Sequence, residues 1–424
     1  MLMTRYLTYC PAGQFCLRCL HRALQGSIRE GEAMRFGLFY ELQLPKPWNE
    51  GDEERIIRET IEQIEFADKL GFDSVWEVEH HFLEEYSHSP APEVILGAAA
   101  ARTKNIRLGH GITLLPPKYN HPARVAERIA TLDLLSGGRV QFGTGESSSE
   151  MELGGFGVER ADKKAMWREA LGQIVRMMVD EPYEGFEGEY FSMPARNVVP
   201  KPKQKPHPPL WVACSMRETV FLAARLGIGA LGFDFVDTAE SKARVDEYWR
   251  IIRDECEPIG EFVNPQLAQV SPFMCHPDDE VAVERGLDGS RFFMYALAHY
   301  YGGPPHQPGK ADIWKEYKSL DASAIDAMRA ARQQARTGYA PDGDDVMRGC
   351  VGSPDYIRNR LRKIEAVGVD EVIFLSQAGN NKHEHIMESM ELFAKEVMPE
   401  FKDREPEHQA WRQEQMKGKV LAPA

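Results

Sequence analysis

The chain has 424 residues, 43% of them hydrophobic, which is enough for one large core or for two domains. Lys and Arg number 51 against 65 Asp and Glu, and the net charge of −14 repels phosphate backbones and anionic lipid heads, arguing against nucleic acid and membrane as partners. No apolar run approaches the roughly 18 residues that a membrane-spanning helix needs, and the scattered set Cys10, Cys16, Cys19, Cys214, Cys256, Cys275 and Cys350 suits a reducing cytoplasm better than a disulfide framework.

Residues 1–33 are basic and lack the apolar stretch of a secretory signal, so a disordered leader is expected, with Met34 of "MRFGLFYEL" as the expected start. Cys16-x-x-Cys19-x-His21 has half the form of a zinc site, but no second ligand pair follows at finger-like spacing. Phe36–Phe39 reads as a first strand. Over 53–70, Ile57, Ile61, Ile64 and Ala67 share one helical face, and Gly71 stops the helix. Val75-Trp76 begins the next strand. Further short apolar runs follow at Ile106–Gly109, Val140–Gly143, Leu210–Ala213, Ala230-Leu231, Leu267–Val270 and Val372–Phe374. Ile357, Leu361 and Ile364 mark a helix stopped by Gly368, and Ile386, Met390, Phe393 and Val397 mark the last one.

One junction repeats. Leu70-Gly71-Phe72-Asp73, Leu226-Gly227-Ile228-Gly229 and Val367-Gly368-Val369-Asp370 each end a helix in glycine and lead into a buried strand. Glycine suits a left-handed helix end because it has no Cβ to clash. Repeated βα units with eight strands predict an α/β fold, a closed (β/α)8 TIM barrel over residues 34–401. An open doubly wound sheet would want a glycine-rich fingerprint after its first strand, and "FGLFYELQLPKPW" has none. Two segments exceed the barrel: a proline-rich connector from Tyr190 to Trp211, and an insertion or lid over 295–350 before the last barrel helix. Residues 402–424 read as a tail.

Chemistry in such a barrel sits at the C-terminal ends of the strands. There "EVEHHF" puts Glu79, His80 and His81 after the second strand, and an imidazole can hold or pass a proton near neutrality. Adjacent side chains on an extended segment point apart, so the two histidines do not chelate one ion together, and a metal would have to recruit His110; none is expected. "GTGESSSE" follows the fourth strand, and "ACSMRET" follows the fifth. In the latter, Ser215, backbone amides and Arg217 could hold a phosphate at a helix N-terminus, or Ser215 could simply cap the helix. Cys214 lacks an evident partner as a nucleophile and is read as structural or cofactor-lining. Phe39, Trp76 and Phe233 either line a ring site or pack the core.

The segments "GFDSVWEVEHHF", "NIRLGHGITLLPPKYNHPARVAERIATLDLLSGGRVQFGTG", "PPLWVACS" and "VGSPDYIRNRLRKIEAVGVDEVIFL" occur in the order found in bacterial luciferase-like, flavin-dependent monooxygenases, and the chain from Met34 to about Phe401 resembles that family. The resemblance implies a barrel binding reduced FMN, often as a homodimer, with a separate flavin reductase as supplier. It implies that O2 adds to the flavin, and that the resulting peroxyflavin leaves one oxygen atom in a small organic substrate. It puts the catalytic histidine at His80, with Glu79, Gly111 and Ile112 beside the flavin ring and a non-prolyl cis peptide between Gly111 and Ile112. The phosphate pocket carries over to Gly145, Ala213, Cys214, Ser215 and Met216, with Arg217 as the positive partner. The chain departs from luciferase itself at Glu146, where an arginine is replaced, and at Gly145, where a reactive cysteine is. A general monooxygenase is therefore implied rather than light emission. Two alternatives stand beside it: a deazaflavin-dependent hydride-transfer oxidoreductase, whose glycine-glutamate loops resemble "GTGE", and a non-catalytic flavin-binding protein.

Overall fold

The computed structural model describes residues 34–404 except 234–238, 304 and most of 322–347, so the leader, the Cys16–Cys19–His21 motif and nearly all of the tail lie outside the described residues. Eight parallel strands form the barrel: β1 (Arg35–Tyr40), β2 (Ser74–Glu77), β3 (Arg107–His110), β4 (Val140–Gly145), β5 (Leu210–Cys214), β6 (Gly229–Gly232), β7 (Leu267–Cys275) and β8 (Glu371–Leu375). Each pairs with the next, and β8 closes on β1 through Arg35↔Glu371 to Phe39↔Leu375. Every apolar run read as a strand is one of these eight.

The repeated junction has a second physical part. After the left-handed Gly71 (φ 87°), the carboxylate of Asp73 accepts the Phe36 amide at 2.8 Å; after Gly368 (φ 100°), Asp370 accepts the Leu267 amide at 2.7 Å. Each aspartate thus ties the start of its own strand to the start of the neighbouring one. At the third copy Gly229 takes that place, and a Cβ there would lie 2.2 Å from the Trp211 ring. The barrel interior is filled by such rings: Trp76 and Trp211 meet edge to face, with centroids 5.3 Å apart.

The helices are α1 (Asp52–Leu70), α2 (Pro92–Arg102), α3 (Pro122–Ser136), α4 (Glu150–Phe156), α5 (Lys163–Val179), α6 (Arg217–Arg225), α7 (Ala239–Asp254), α8 (Asp279–Gly302), α9 (Ile313–Lys318), α10 (Pro354–Val367), α11 (His383–Glu396) and α12 (Met398–Asp403). Three sequence expectations change. Ser192–Arg196 is not extended connector but the second strand of a hairpin with Tyr183–Glu187, because Glu169 accepts the amides of Glu189, Tyr190 and Phe191 and pins the turn. Residues 295–302 do not open an insertion but complete α8, and α9 follows before β8. Lys402 is not tail: it lies in α12 and forms an ion pair with Asp73, at 2.5 Å.

Close packing sets a testable limit at the top of β4. A Cβ on Gly143 would meet the backbone oxygen of His110 at 1.9 Å, and backbone cannot swing aside. Gly143→Ala is expected to cost roughly 1–3 kcal/mol in urea unfolding through overpacking. Gly154→Ala, with nothing within 4 Å of its Cβ, is the matched control and should stabilise α4 slightly.

Candidate active site

A cavity of about 640 Å³ opens at the C-terminal ends of the strands. Its walls come from the segments after β1, β2, β3, β4, β5 and β6, and from the last turns of α8. Among the described residues the non-glycine positions with positive φ are Leu42, Phe82, Glu84 and Ser147, at φ 50°, 65°, 25° and 61°, all on the segments after β1, β2 and β4. Backbone held in that region costs energy and concentrates where surrounding structure holds a site in place.

His80 lines this cavity, and its ring is held from two sides. Nδ1 lies 3.0 Å from Oε1 of Glu152, a fully buried residue of α4. Nε2 faces Oε2 of Glu41, 1% exposed, at 3.6 Å. A carboxylate only accepts, so Nδ1 carries a hydrogen. Burial opposes a charge on the ring, yet the carboxylates of Glu41 and Glu152 outweigh it and raise the His80 pKa to about 9. Burial likewise pushes Glu41 up, and the pull of His80 and the Tyr86 hydrogen bond leave it at about 7. For Glu152, burial is outweighed by His80, Ser147 and the His81 amide, and its pKa is lowered. The arrangement is a charged imidazole between two acids, with His80 and Glu41 both on the cavity wall.

Glu79 does not reach the cavity. It accepts the Leu114 amide at 2.8 Å and the Asn120 amide group at 2.7 Å, and faces His81 Nε2 at 3.2 Å; it braces the chain after β3 rather than touching a ligand. There Gly111 and Ile112 step out of β3 into the cavity wall before Thr113-Leu114 pairs with Thr144-Gly145. Their peptide bond is trans, where the resemblance implied cis. Backbone hydrogen bonds flank it: the Gly111 amide donates to the Glu77 carbonyl at 2.7 Å and the Ile112 carbonyl accepts the Glu79 amide at 3.0 Å. Gly145 gives this step room, since a Cβ there would lie 2.5 Å from Ile112 Cδ1 and move that side chain.

Ala213, Cys214, Ser215 and Met216 line the cavity after β5. Burial pushes the Cys214 thiol far above its ordinary pKa, so it is not a nucleophile. Ser215 is not the cap of α6; Met216 takes that position and supplies no side-chain cap. Arg217 turns away from the cavity and lies over the Phe221 ring at 5.3 Å. Lys164 lines the cavity, while Lys163 neutralises Glu146 at 2.7 Å. Phe39 and Phe233 line the space, 5.8 Å apart edge to face, whereas Trp76 is core. His110 is buried off the cavity, and burial lowers its pKa to about 4. Among the described residues no group of three or more His, Cys, Asp or Glu is placed to hold a metal ion, and no helix is long and apolar enough to cross a membrane.

The family model described as luciferase-like monooxygenase matches residues 34–371. The chain belongs to that family. It is an oxidoreductase of the monooxygenase class. Among luciferase-like relatives, the oxygenase component of a flavin-dependent trigonelline monooxygenase from Acinetobacter baylyi is 25% identical over 87% of this chain and 96% of its own. The oxygenating constituent of 3,6-diketocamphane monooxygenase from Pseudomonas putida, solved with FMN, shares the fold at a TM-score of 0.64 and 22% identity, over 87% of this chain and 99% of its own. A coenzyme F420 dependent tetrahydromethanopterin reductase from Methanopyrus kandleri shares it at 0.60 and 21%, over 88% and 100%.

Sequence reading missed Glu41, Glu152 and Lys164 in this luciferase-like site. Glu152 had a faint signal, as the second acid of "EME" at the opening of a helix after a glycine loop. Glu41 had one too: an acid directly after an apolar first strand stands on the catalytic rim as surely as one after the second.

Proposed function

We propose that the chain is the oxygenase of a two-component system that binds reduced FMN in this cavity and uses O2 to oxygenate a small organic substrate. One observation carries the reading: an imidazole charged by two buried carboxylates opens onto a largely apolar cavity whose other walls bear hydroxyls and a lysine. The donor set suits FMN. Phe39, Ile112 and Leu231 offer apolar faces for a flat ring, and Gly111 leaves room beside them. Ser148, Ser215, Thr219, Lys164 and the first amides of α6, which no side chain caps, would hold a phosphate. Reduced FMN, when bound, supplies the electrons with which O2 is activated. His80 would keep a proton at Nε2 aimed into the cavity, fixed in orientation by Glu152 at Nδ1. The aromatic end of α8 would keep water out.

The same reading includes a separate flavin reductase and a homodimer. The dimer is supported by α2, "PEVILGAAAAR", which is apolar nearly all round: Val94 is 66% exposed on it, and Leu134 and Leu135 are exposed on the adjacent α3.

Oxygen uptake by the purified protein with reduced FMN over a substrate panel tests the function. Hydride transfer from a reduced deazaflavin without oxygen would overturn it. For the phosphate end, Lys164→Met is expected to weaken FMN about tenfold in a fluorescence titration and to leave riboflavin unchanged, since riboflavin has no phosphate; tenfold corresponds to roughly 1.4 kcal/mol. Equal loss for both flavins would place the phosphate elsewhere.

A further inference from the structure

Glu41 directly follows β1 and is 1% exposed, and its Oε1 accepts the Tyr86 hydroxyl at 2.9 Å. Its Oε2 has no hydrogen-bond partner among the described residues. It faces His80 Nε2 at 3.6 Å, too far for a hydrogen bond between them, and both residues line the cavity. A buried carboxylate oxygen left unpaired is costly, and so is a buried ring N–H. Because a carboxylate faces each ring nitrogen, Glu152 at 3.0 Å from Nδ1 and Glu41 at 3.6 Å from Nε2, both nitrogens carry hydrogen and Nε2 is a donor. The two atoms therefore set one donor and one acceptor 3.6 Å apart on residues that line the cavity.

The chemistry of a group that fits there is narrow. An ammonium only donates, so it would pair with Oε2 and be repelled by the imidazolium. A carbonyl or carboxylate only accepts, so it would pair with Nε2 and leave Oε2 bare. A hydroxyl does both. The walls around this pair are apolar and aromatic, with Phe39, Tyr86, Phe233, Leu297 and Tyr301 on the cavity surface.

Resting on the monooxygenase reading, we propose that the substrate is a neutral hydroxylated ring, a phenol or cyclic alcohol, whose hydroxyl accepts from His80 Nε2 and donates to Glu41 Oε2. Glu41 is then a specificity-determining residue: it selects molecules bearing the hydroxyl and seats them against His80.

The test uses three probes of one shape: para-cresol, its methyl ether and para-methylbenzylamine. Calorimetry measures their binding to the protein with and without oxidised FMN. Para-cresol is expected to bind at least about tenfold more tightly than the ether, because the ether leaves Oε2 unpaired. Glu41→Leu is expected to bring para-cresol down to the affinity of the ether while leaving the ether unchanged. Glu41→Gln, which keeps the shape and one acceptor, guards against a folding defect and should retain part of the preference. In both variants the His80 titration, followed by NMR, should move down, as loss of a neighbouring carboxylate requires. Equal binding of para-cresol and the ether, or tighter binding of the amine, overturns the hydroxyl seat. A protein that fails to bind FMN yet still prefers para-cresol overturns the flavin reading and leaves the seat standing.

Discussion

His80→Ala is expected to lower turnover by about 10²–10⁴-fold, the range for loss of a positioned proton donor, with FMN affinity little changed. The ring contributes a proton at Nε2, and Glu152 is what fixes it, through Oε1 at 3.0 Å from Nδ1. Glu152→Gln should therefore act through His80, and pH separates this from a general defect. With the His80 pKa at about 9, activity that needs the Nε2 proton persists through neutrality and falls as pH rises through about 9. Removing the Glu152 charge lowers that pKa, so the descending limb should move to lower pH. Unchanged turnover in His80→Ala, or a limb that stays in place in Glu152→Gln, contradicts the assignment.

The same pair has a stability signature. His80 is raised above its ordinary 6.5, so its contribution is full below about that pH and is lost as pH rises through about 9. Glu152 is lowered from its ordinary 4.5, so its contribution is present above that value and is lost as pH falls through its folded pKa. Thermal unfolding of Glu152→Gln should therefore fall furthest below the unsubstituted protein between those two ordinary values.

Arg35→Met is expected to destabilise the fold by about 3–5 kcal/mol, because it leaves a buried carboxylate without its counter-charge. Arg35 Nε lies 3.1 Å from Glu371, with side chains 4% and 3% exposed. Glu371 also accepts Trp76 Nε1 at 2.8 Å and the Ser74 hydroxyl. These residues join β8, β1 and β2 across the barrel closure. The double change Arg35→Met with Glu371→Leu should recover part of the loss, since an apolar pair replaces a buried ion pair at little cost. Recovery stops short because the Ser74 hydroxyl loses its acceptor and Trp76 Nε1 keeps only Ser74 Oγ, at 2.9 Å. Arg35 begins β1 and the cavity lies at its far end, roughly 17 Å on at strand spacing, so activity per folded molecule should not change. Denaturant midpoints of the single and double variants measure this. A single variant within about 0.5 kcal/mol of the parent would contradict it.

Much of the barrel was legible in the residues, because its signals are local. A strand buried on both faces must be a short apolar run, and the helix before it needs a residue free to adopt positive φ. Val75-Trp76 after Gly71 and Val372–Phe374 after Gly368 show both, as does the placing of His80 on the rim. The hairpin at 183–196 was not legible, since its turn is pinned by Glu169 from a helix earlier in the chain. Nor was the role of Arg217, which pattern put at a phosphate and packing laid over Phe221.

Periodicity and turn chemistry between near neighbours thus specify the ring of strands and the end of the ring where chemistry gathers. Which acids flank the imidazole is a different kind of fact. Glu41 and Glu152 meet His80 across 39 and 72 residues of chain, because closure brings the ends of β1, β2 and β4 together around one cavity. Proton affinities follow from those contacts and from burial, and neither exists until the barrel is shut.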